Sequence, residues 1–234
     1  MEKASVEEIR ARFDKDVERF SNLETGQTAT QDAALVLDMI AAAAARVTPG
    51  ATRLLDLGCG AGNFSLKLGQ VFRLEHVTLV DLSANMLDRA VERLGALGVE
   101  TRAMQRDVRD LELEAGSQDV IVAAAVLHHL RAEVEWAAVF RELYRALRPG
   151  GSLWIWDLVS HDIAGVQAEM WERYGAYLAG LKGQAYRDQV FAYIAYEDSP
   201  RSAAFQLHHL RAAGFAADVL HKNGCFAAIA AYKA

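Results

Sequence analysis

The chain is poor in cysteine and proline and has no long apolar run. Its 234 residues include two cysteines and three prolines. Cys59 and Cys225 have no C-x-x-C partner and no metal-type spacing, which argues against a disulfide framework and predicts two free thiols. No apolar run approaches the roughly 20 residues of a membrane span, and the N-terminus lacks a secretory apolar region. We therefore expect a soluble, cytoplasmic protein without membrane contact.

A surplus of positive charge is also absent. The chain has 25 Lys and Arg against 31 Asp and Glu, a net charge of −6. This balance gives no electrostatic footprint for nucleic acid, which argues against such a partner, although a local basic patch is compatible with it. Apolar residues make up 52% of the composition, and no linker interrupts the chain. One sizeable core is therefore expected.

The most informative segment joins an apolar run to three glycines at alternate positions. Leu54–Leu57 predicts a buried parallel strand, and Gly58, Gly60 and Gly62 allow a tight turn close to a ligand. A dinucleotide-binding G-x-G-x-x-G would need glycine where Asn63 stands, and the Gly-Lys-Ser/Thr of a phosphate-binding loop is absent. The loop therefore indicates a nucleotide-like ligand and disfavours an NAD-dependent oxidoreductase.

Two further predicted strands lead to an acid. Val77–Asp81 ends in a carboxylate about 20 residues after the glycines, where doubly wound folds bind ribose hydroxyls. Thr101–Arg106 leads into Asp107. Because the carboxyl ends of parallel strands meet at one edge of a sheet, Asp56, Asp81 and Asp107 are expected to share one crevice.

Taken with these acids, the pattern D-x-G-x-G-x-G from Asp56 to Gly62 resembles the class I methyltransferases that use S-adenosylmethionine. A Leu-Arg-Pro-Gly-Gly turn at residues 147–151 is also similar to this family, and the resemblance extends over about residues 53–233. It implies methyl transfer from S-adenosyl-L-methionine to a small-molecule acceptor by in-line displacement, with S-adenosyl-L-homocysteine as product. The glycine spacing suits this cofactor, because a ligand without phosphate needs no loop wrapped around an anion.

The resemblance also implies a set of cofactor contacts. Asp56 would face the ammonium group, Asp81 the ribose hydroxyls, and Asp107 with Val108 the adenine. Met86 is explained equally well as a core residue. The implied cofactor-binding residues are Asp56, Gly58, Cys59, Gly60, Gly62, Asn63, Asp81, Leu82, Met86, Asp107, Val108 and Ala124.

The fold class expected is α/β, a doubly wound, mostly parallel seven-stranded sheet of the Rossmann-like methyltransferase type. An Asn223-Gly224 pair between apolar runs predicts a terminal antiparallel hairpin. Apolar periodicity predicts helices over Val6–Phe20, Gln31–Val47 and Ala84–Leu97, and a further helix that ends near Arg148. We expect one methyltransferase domain over residues 1–234, with an N-terminal helical cap at 1–50 and a helical lid or insertion at 161–200, before the last helix.

Candidate catalytic groups follow the fourth and fifth strands. The run Val120–Val126 precedes two adjacent histidines, of which His129 is the stronger candidate, and Asp157 and His161 end the next strand. A base is needed only where the acceptor keeps its proton until late in the reaction, and a framework role for the histidines remains open. No metal site is expected, because adjacent histidines do not easily face one ion and no carboxylate follows at helical spacing.

The aromatic residues of the insertion would either line an acceptor pocket or pack the insertion onto the sheet. The loop from Leu23 to Thr30 would close the other flank of the cofactor, with Gln27 and Gln31 as contacts.

A weaker resemblance leads to bacterial enzymes that modify wobble uridine in tRNA with a carboxylated S-adenosylmethionine. It rests on the F-D-x-x-V pattern from Phe13 to Val17, the turn at residues 213–215 and the terminal hairpin. That subgroup needs an arginine in the insertion, and Arg187 is the candidate. A non-catalytic module that binds S-adenosylmethionine, and a homodimer, also remain open.

Overall fold

The structure is a computed structural model that describes residues 3–22 and 28–234. Within these residues, seven strands form one sheet: β1 (Arg53–Leu57), β2 (His76–Asp81), β3 (Glu100–Gln105), β4 (Gln118–Ala124), β5 (Leu147–Leu158), β6 (Ala216–Asn223) and β7 (Phe226–Tyr232). Their order is β3-β2-β1-β4-β5-β7-β6, and β7 runs antiparallel to both of its neighbours while the other pairs are parallel. The predicted fold class and terminal hairpin are confirmed.

Helices cover both faces of this sheet. In chain order they are α1 (Val6–Phe13), α2 (Val17–Ser21), α3 (Ala33–Val47), α4 (Asn63–Leu68), α5 (Ala84–Gly95), α6 (Glu133–Ala146), α7 (Ala164–Lys182), α8 (Gln184–Glu197) and α9 (Ala203–Ala212). A short 3-10 turn, Leu127–His129, follows β4. None of these helices is both long enough and apolar enough to cross a membrane.

Alternation along the central strands divides the core into two layers. In β5, Trp154 and Trp156 pack into the layer that contains α3, α4, α5 and α7, whereas Leu153 and Ile155 face the layer that contains α6 and α9. The same alternation runs through β1 and β4, because successive side chains of a strand point to opposite faces. Burial on both faces explains the nearly continuous apolar runs of these strands.

Three predicted helix boundaries are wrong. The helix expected over Val6–Phe20 is broken between Phe13 and Val17, the helix expected from Gln31 begins at Ala33, and α5 ends at Gly95. At the start of α3, the preceding residue adopts a left-handed backbone, with φ 62°, which prevents the helix from extending further back.

The Leu-Arg-Pro-Gly-Gly segment belongs to β5 rather than to the end of α6. Leu147 pairs with Gln118 of β4, and the Gly150 amide donates to the carbonyl of Lys233 at 2.7 Å. A Cβ at Gly151 would lie 2.9 Å from the carbonyl oxygens of Arg148 and Asp119, so the close pairing requires glycine there. Pairing with neighbouring chain segments therefore overrides the helical periodicity.

The segment between β5 and α9 forms the helical pair α7 and α8. Trp171 stacks on Phe191 with ring centroids 4.6 Å apart, and Tyr174 meets Phe226 edge to face at 5.2 Å. The Tyr174 hydroxyl donates to the carbonyl of Ala29 at 3.0 Å. These contacts pack the insertion onto the sheet. Tyr174 also lines the large cavity described below, and a role of that cavity in holding the acceptor stays a prediction.

Candidate active site

A cavity of about 250 Å³ lies at the carboxyl edge of the parallel strands. The ends of β1, β2, β4 and β5 form its floor, and α1 and α8 contribute side chains from above. Its lining includes the glycine loop and the strand-end acids. The same lining includes aromatic and aliphatic side chains together with His128, His129, Asp157 and Asp198, and these we call the apolar chamber and its polar end. One space thus joins a cofactor-type region to an apolar chamber with a polar end.

Backbone hydrogen bonds hold the glycine loop against β2. The amides of Gly58 and Cys59 donate to the carbonyl of Val80 at 2.8 and 3.0 Å. Gly58 has φ 68°, and a Cβ there would lie 2.6 Å from two side-chain carbons of Val126. At Gly60 the added Cβ would meet no described atom within 4 Å, so this part of the loop is open. The open cradle fits the close approach of a ligand.

Asp56 brings a buried carboxylate to the end of β1. Its Oδ2 accepts hydrogen bonds from the hydroxyl of Ser65 at 2.6 Å and from the amide of the same residue at 3.2 Å. Burial raises the pKa of Asp56 to about 6, although both bonds oppose this shift. A cationic ligand group in the cavity would favour the ionised carboxylate. The position therefore fits the ammonium contact expected for Asp56.

Asp81 links the glycine loop to the next helix. Its Oδ2 accepts from the Gly60 amide at 2.8 Å and its Oδ1 from the Ser83 amide at 2.9 Å. Burial raises the pKa of Asp81, although these amides oppose the shift. A carboxylate has about four acceptor positions, so two bonds leave room for hydroxyl donors.

Asp107 is paired more heavily than the sequence suggested. Arg109 donates to its Oδ1 through the backbone amide and Nε, both at 2.8 Å, and to its Oδ2 through Nη2 at 2.6 Å. Burial acts to raise the pKa of Asp107, but Arg109 outweighs it and the pKa is lowered. With three of about four acceptor positions used, one position remains for the expected adenine amino group.

Most residues expected to bind the cofactor line this cavity: Asp56, Gly58, Cys59, Gly60, Asn63, Asp81, Leu82, Met86, Asp107, Val108 and Ala124. Gly62 does not line the cavity in the described part of the chain. A Cβ at Gly62 would lie 3.2 Å from the Cβ of Ala90, so this glycine allows α4 to pack closely on α5. Burial raises the pKa of Cys59, which keeps its thiol protonated and therefore a weak nucleophile. Cofactor contact by each lining residue stays a prediction.

At the other end of the cavity, Asp157 fixes His128. The carboxylate pairs with Nδ1 of the His128 ring, and its Oδ2 accepts from the His128 amide at 3.1 Å. The carbonyl of His128 accepts from the Ser199 amide at 2.7 Å. The last bond joins the 3-10 turn to the segment after α8. The pairing with Asp157 orients the His128 ring so that Nε2 points towards Asp198, whose Oδ1 is 3.7 Å away.

Asp198 faces both histidines. Its Oδ1 lies 3.3 Å from Nδ1 of His129, and that buried nitrogen has no hydrogen-bond partner among the described residues. Burial opposes the charge of His128, but Asp157 and Asp198 outweigh it and raise the pKa of His128 to about 9. Burial and the neighbouring His128 lower the pKa of His129 well below its usual range. Burial also raises the pKa of Asp198 to about 6.

These positions correct several expectations. Asp157 and His129 lie in the cavity, but His161 does not line it among the described residues. Its ring is instead held outside by Gln167, at 3.3 Å, and by Lys222, at 2.9 Å. Arg187 pairs with Asp188 at 2.6 Å and lies off the cavity lining.

The two glutamines expected as flanking contacts have different outcomes. Gln27 lies outside the described residues. Gln31 is described but does not line the cavity, and its Oε1 would be 3.4 Å from a Cβ at Gly224, in the turn of the terminal hairpin.

The sequence interpretation missed the contribution of α8. Glu197 and Asp198 line the cavity, and Glu197 binds Arg12 of α1 through Nε at 2.7 Å. The expectation that no carboxylate accompanies the two histidines considered only helical spacing. Asp198 is supplied from a distant part of the chain, and together with His128 and His129 it forms a possible metal-ligand cluster. The sequence did contain one signal for this contribution: Glu197 and Asp198 are adjacent acids that end an otherwise uncharged helical turn.

The fold is of the Rossmann-like methyltransferase type: a doubly wound sheet with an antiparallel terminal hairpin, and acids lie at three of its strand ends. Residues 54–151 match a family model described as a methyltransferase domain. This segment is thus similar to the class I S-adenosylmethionine-dependent methyltransferases, whose members generally use that cofactor.

Two relatives and one solved structure illustrate the similarity. The ubiquinone biosynthesis O-methyltransferase of Xanthomonas axonopodis pv. citri is 31% identical over 147 residues, covering 62% of this chain and 59% of the relative. The 27-O-demethylrifamycin SV methyltransferase of Amycolatopsis mediterranei is 33% identical over 120 residues, covering 50% and 43%. The crystal structure of the 4+2 cyclase SpnF has a TM-score of 0.68 at 16% identity, covering 100% and 97%.

The matched part thus spans less than two thirds of the length of both relatives. The likeness to SpnF concerns the fold alone, because the identity is low. The acceptor has to be argued from the cavity.

Proposed function

We propose that the chain is an S-adenosylmethionine-dependent methyltransferase that acts on a small, largely apolar molecule with one protic polar group. The observation that carries this proposal is the continuity of the cavity from the strand-end acids to the aromatic chamber. When bound, S-adenosylmethionine supplies an electrophilic methyl group on a sulfonium. Asp56 would bind its ammonium group, Asp81 its ribose, and Asp107 with Val108 its adenine.

The apolar chamber supports an acceptor of matching character. Phe13, Phe20, Trp156, Tyr193 and Phe226 are among its walls. These rings exclude water and offer flat surfaces against which a small acceptor can be held at contact distance. Because in-line methyl transfer depends chiefly on position, such a chamber needs few catalytic side chains.

The polar end of the chamber supports a protic acceptor. The lowered pKa of His129 favours its neutral form, and within the described part of the chain its buried Nδ1 has no hydrogen-bond partner. A neutral imidazole can accept a hydrogen bond from a bound hydroxyl group and so position its oxygen. Asp157 would act as a positioning residue, since it binds His128 beside that ring. The expected role of His161 has no support from its position outside the chamber.

The test combines binding and turnover. Purified protein is titrated with S-adenosylmethionine by calorimetry and then incubated with a panel of hydroxylated and phenolic small molecules. Formation of S-adenosylhomocysteine and a product heavier by one methylene unit are followed by mass spectrometry. The matched variants are Asp81→Asn, expected to weaken binding at least about tenfold and to lower turnover, and Asp218→Asn, at an exposed acid on β6, which is expected to retain both.

The alternatives predict other results. A non-catalytic module would bind the cofactor but form no S-adenosylhomocysteine with any acceptor. A product of unchanged mass would indicate a reaction without methyl transfer. A tRNA-modifying enzyme would act on tRNA with the carboxylated cofactor, but Arg187, the candidate for the arginine that this alternative requires, pairs with Asp188 away from the cavity. Transfer to a small molecule would support the proposal against all three.

A further inference from the structure

We propose that His128, His129 and Asp198 bind one divalent cation of the zinc type at the polar end of the cavity. Three potential ligand atoms, one from each residue, lie within 4.8 Å of one another. All three residues line the same cavity. The proposal concerns a metal site and does not depend on the identity of the acceptor.

The spacing of these atoms fits coordination better than direct hydrogen bonding. Asp198 Oδ1 is 3.3 Å from Nδ1 of His129 and 3.7 Å from Nε2 of His128. Neither contact is a hydrogen bond, although all three groups are largely buried. Ligands about 2.1 Å from a tetrahedral zinc ion are about 3.4 Å from one another. An ion bound between the three groups would therefore give each of these atoms a partner, because they do not form hydrogen bonds with one another.

The surroundings of His128 add an independent feature. Its Nδ1 is bound by Asp157, so the N–H of this nitrogen would be donated to a carboxylate while Nε2 carries the lone pair towards Asp198. Metal-binding histidines commonly make this second contact, because it fixes the tautomer and the orientation of the ring. Asp157 itself is anchored by the Leu158 amide at 2.8 Å.

The nearby charges also suit a divalent ion. Asp157 and Asp198 are the two carboxylates that contact His128. A doubly charged ion bound by Asp198 and two neutral imidazoles would balance the charge of both carboxylates. Two imidazole nitrogens and one carboxylate oxygen form a common three-residue ligand set for catalytic zinc, with a fourth position open to water or substrate.

The open position gives the metal a place in the reaction, and this consequence rests on the proposed methyl transfer. The three ligands face the cavity, so an acceptor oxygen in the chamber could occupy the fourth position. A bound divalent ion lowers the pKa of a coordinated oxygen acid, which would make the acceptor a better nucleophile at pH 7. In that state Nδ1 of His129 is a metal ligand, so the ion rather than this imidazole would hold the hydroxyl group. The acceptor class would then be a hydroxyl, phenol or enol.

The experiment uses the full chain after removal of metals with a chelator. Co²⁺ is added while the visible absorption of the metal is recorded, and Zn²⁺ is then added in competition. We expect one ion per chain and a tetrahedral-type spectrum that Zn²⁺ removes. Asp198→Asn and His129→Gln should each weaken Co²⁺ binding at least about tenfold, and Asp157→Asn by roughly 10-fold to 100-fold. The matched control is His221→Gln, since His221 pairs with Asp32 at 2.9 Å outside the cavity.

Circular dichroism establishes that each variant is folded, and a variant that does not fold is replaced by the other substitution at the cluster. Failure of the wild-type chain to bind either ion would overturn the metal site, as would equal binding by Asp198→Asn, His129→Gln and wild type. Because these titrations contain neither cofactor nor acceptor, such a failure leaves the proposed methyl transfer intact. Conversely, metal binding without formation of S-adenosylhomocysteine would contradict the proposed function and not the metal site.

Discussion

The backbone amide of Gly60 donates a 2.8 Å hydrogen bond to Oδ2 of Asp81. This bond joins the glycine loop after β1 to the end of β2, and the other carboxylate oxygen accepts from the Ser83 amide at the start of α5. Asp81 therefore organises the loop as well as presenting acceptor positions to a ligand. Removing its side chain should affect the order of the site and the affinity for cofactor together.

Asp81→Ala and Asp81→Asn separate these two effects. Asp81→Ala leaves two amides without their acceptor and should lower the free energy of unfolding by about 1 to 3 kcal/mol. Asp81→Asn retains one acceptor oxygen and should cost less. Both variants should weaken binding of S-adenosylmethionine at least about tenfold, because a charged acceptor is lost. Calorimetry and urea unfolding provide the two measurements, and unchanged affinity in both variants would rule out the ribose role.

Gly58 and Gly60 should respond differently to the same substitution. Gly58→Ala forces a Cβ to within 2.6 Å of Val126 at φ 68°, so the unliganded protein should lose roughly 2 to 5 kcal/mol of stability. Gly60→Ala meets no described atom within 4 Å and should cost only about 1 kcal/mol for its positive φ, yet abolish cofactor binding because the methyl group fills the cradle.

Thermal unfolding without ligand, followed by cofactor titration, measures both effects. The double variant Gly58→Ala/Val126→Ala serves as the control, because it removes two of the three Val126 carbons near the new Cβ and should recover part of the stability. Equal stability of the two single variants would show that the contact with Val126 does not explain the glycine at position 58.

The positions of the glycine loop and of the strand-end acids were predictable because their signals are local. A strand followed by glycines at fixed spacing, or by an acid, determines what stands at the end of that strand, and parallel order brings such ends together. The polar end of the cavity was not predictable in this way. Asp198 reaches His129 only because α8 folds back over the sheet, where the Ser199 amide binds the carbonyl of His128. No sequence spacing between these segments encodes that contact.

The misplaced residues have the same physical origin. His161 follows the end of β5, as expected, but its ring is bound by Lys222 of the terminal hairpin and does not line the cavity in the described part of the chain. Arg187 lies in the insertion, but its Cδ packs near Gly175 of α7, where an added Cβ would lie 3.3 Å from it. Its guanidinium pairs with Asp188. Position along the chain predicted the element in each case. The direction of the side chain depended on tertiary packing.

Asp56→Asn should stabilise the unliganded protein while weakening cofactor binding. The pKa of the buried Asp56 carboxyl is raised from 3.8 to about 6. Between these values, rising pH ionises Asp56 in the unfolded chain before the folded one, so stability falls across this window and the full cost, about 3 kcal/mol at most, applies above it. Asparagine cannot ionise, and its oxygen can still accept from Ser65.

Urea unfolding of the unliganded protein between pH 4 and pH 7 measures this effect. The decrease in stability over that range should be smaller in Asp56→Asn than in wild type, and the variant should be the more stable protein at pH 7. Ser65→Ala is the companion variant: it removes the 2.6 Å hydrogen bond that opposes the shift, so the pKa of Asp56 should rise further. If Asp56→Asn were less stable than wild type at pH 7, the result would contradict this account.

The ion pair between Arg12 and Glu197 should hold α1 over the cavity. Nε of Arg12 donates to Oε1 at 2.7 Å and Nη2 binds the other oxygen, which gives a two-pronged contact between α1 and α8. The Glu197 side chain is 6% exposed and that of Arg12 23%. Arg12→Met leaves the carboxylate without its cation and should cost about 2 to 4 kcal/mol, less than a fully buried pair because Arg12 reaches solvent.

Removing both charges tests whether the pair or the unpaired carboxylate sets that cost. Arg12→Met/Glu197→Gln should be more stable than Arg12→Met, because no charge is left buried without a partner. Hydrogen exchange of the α1 amides should be faster in Arg12→Met than in wild type, and cofactor release should accelerate with it, since Ile9, Arg12 and Phe13 all line the cavity. Slow exchange in α1 of the single variant would mean that the remaining contacts of α1 suffice to keep the cavity covered.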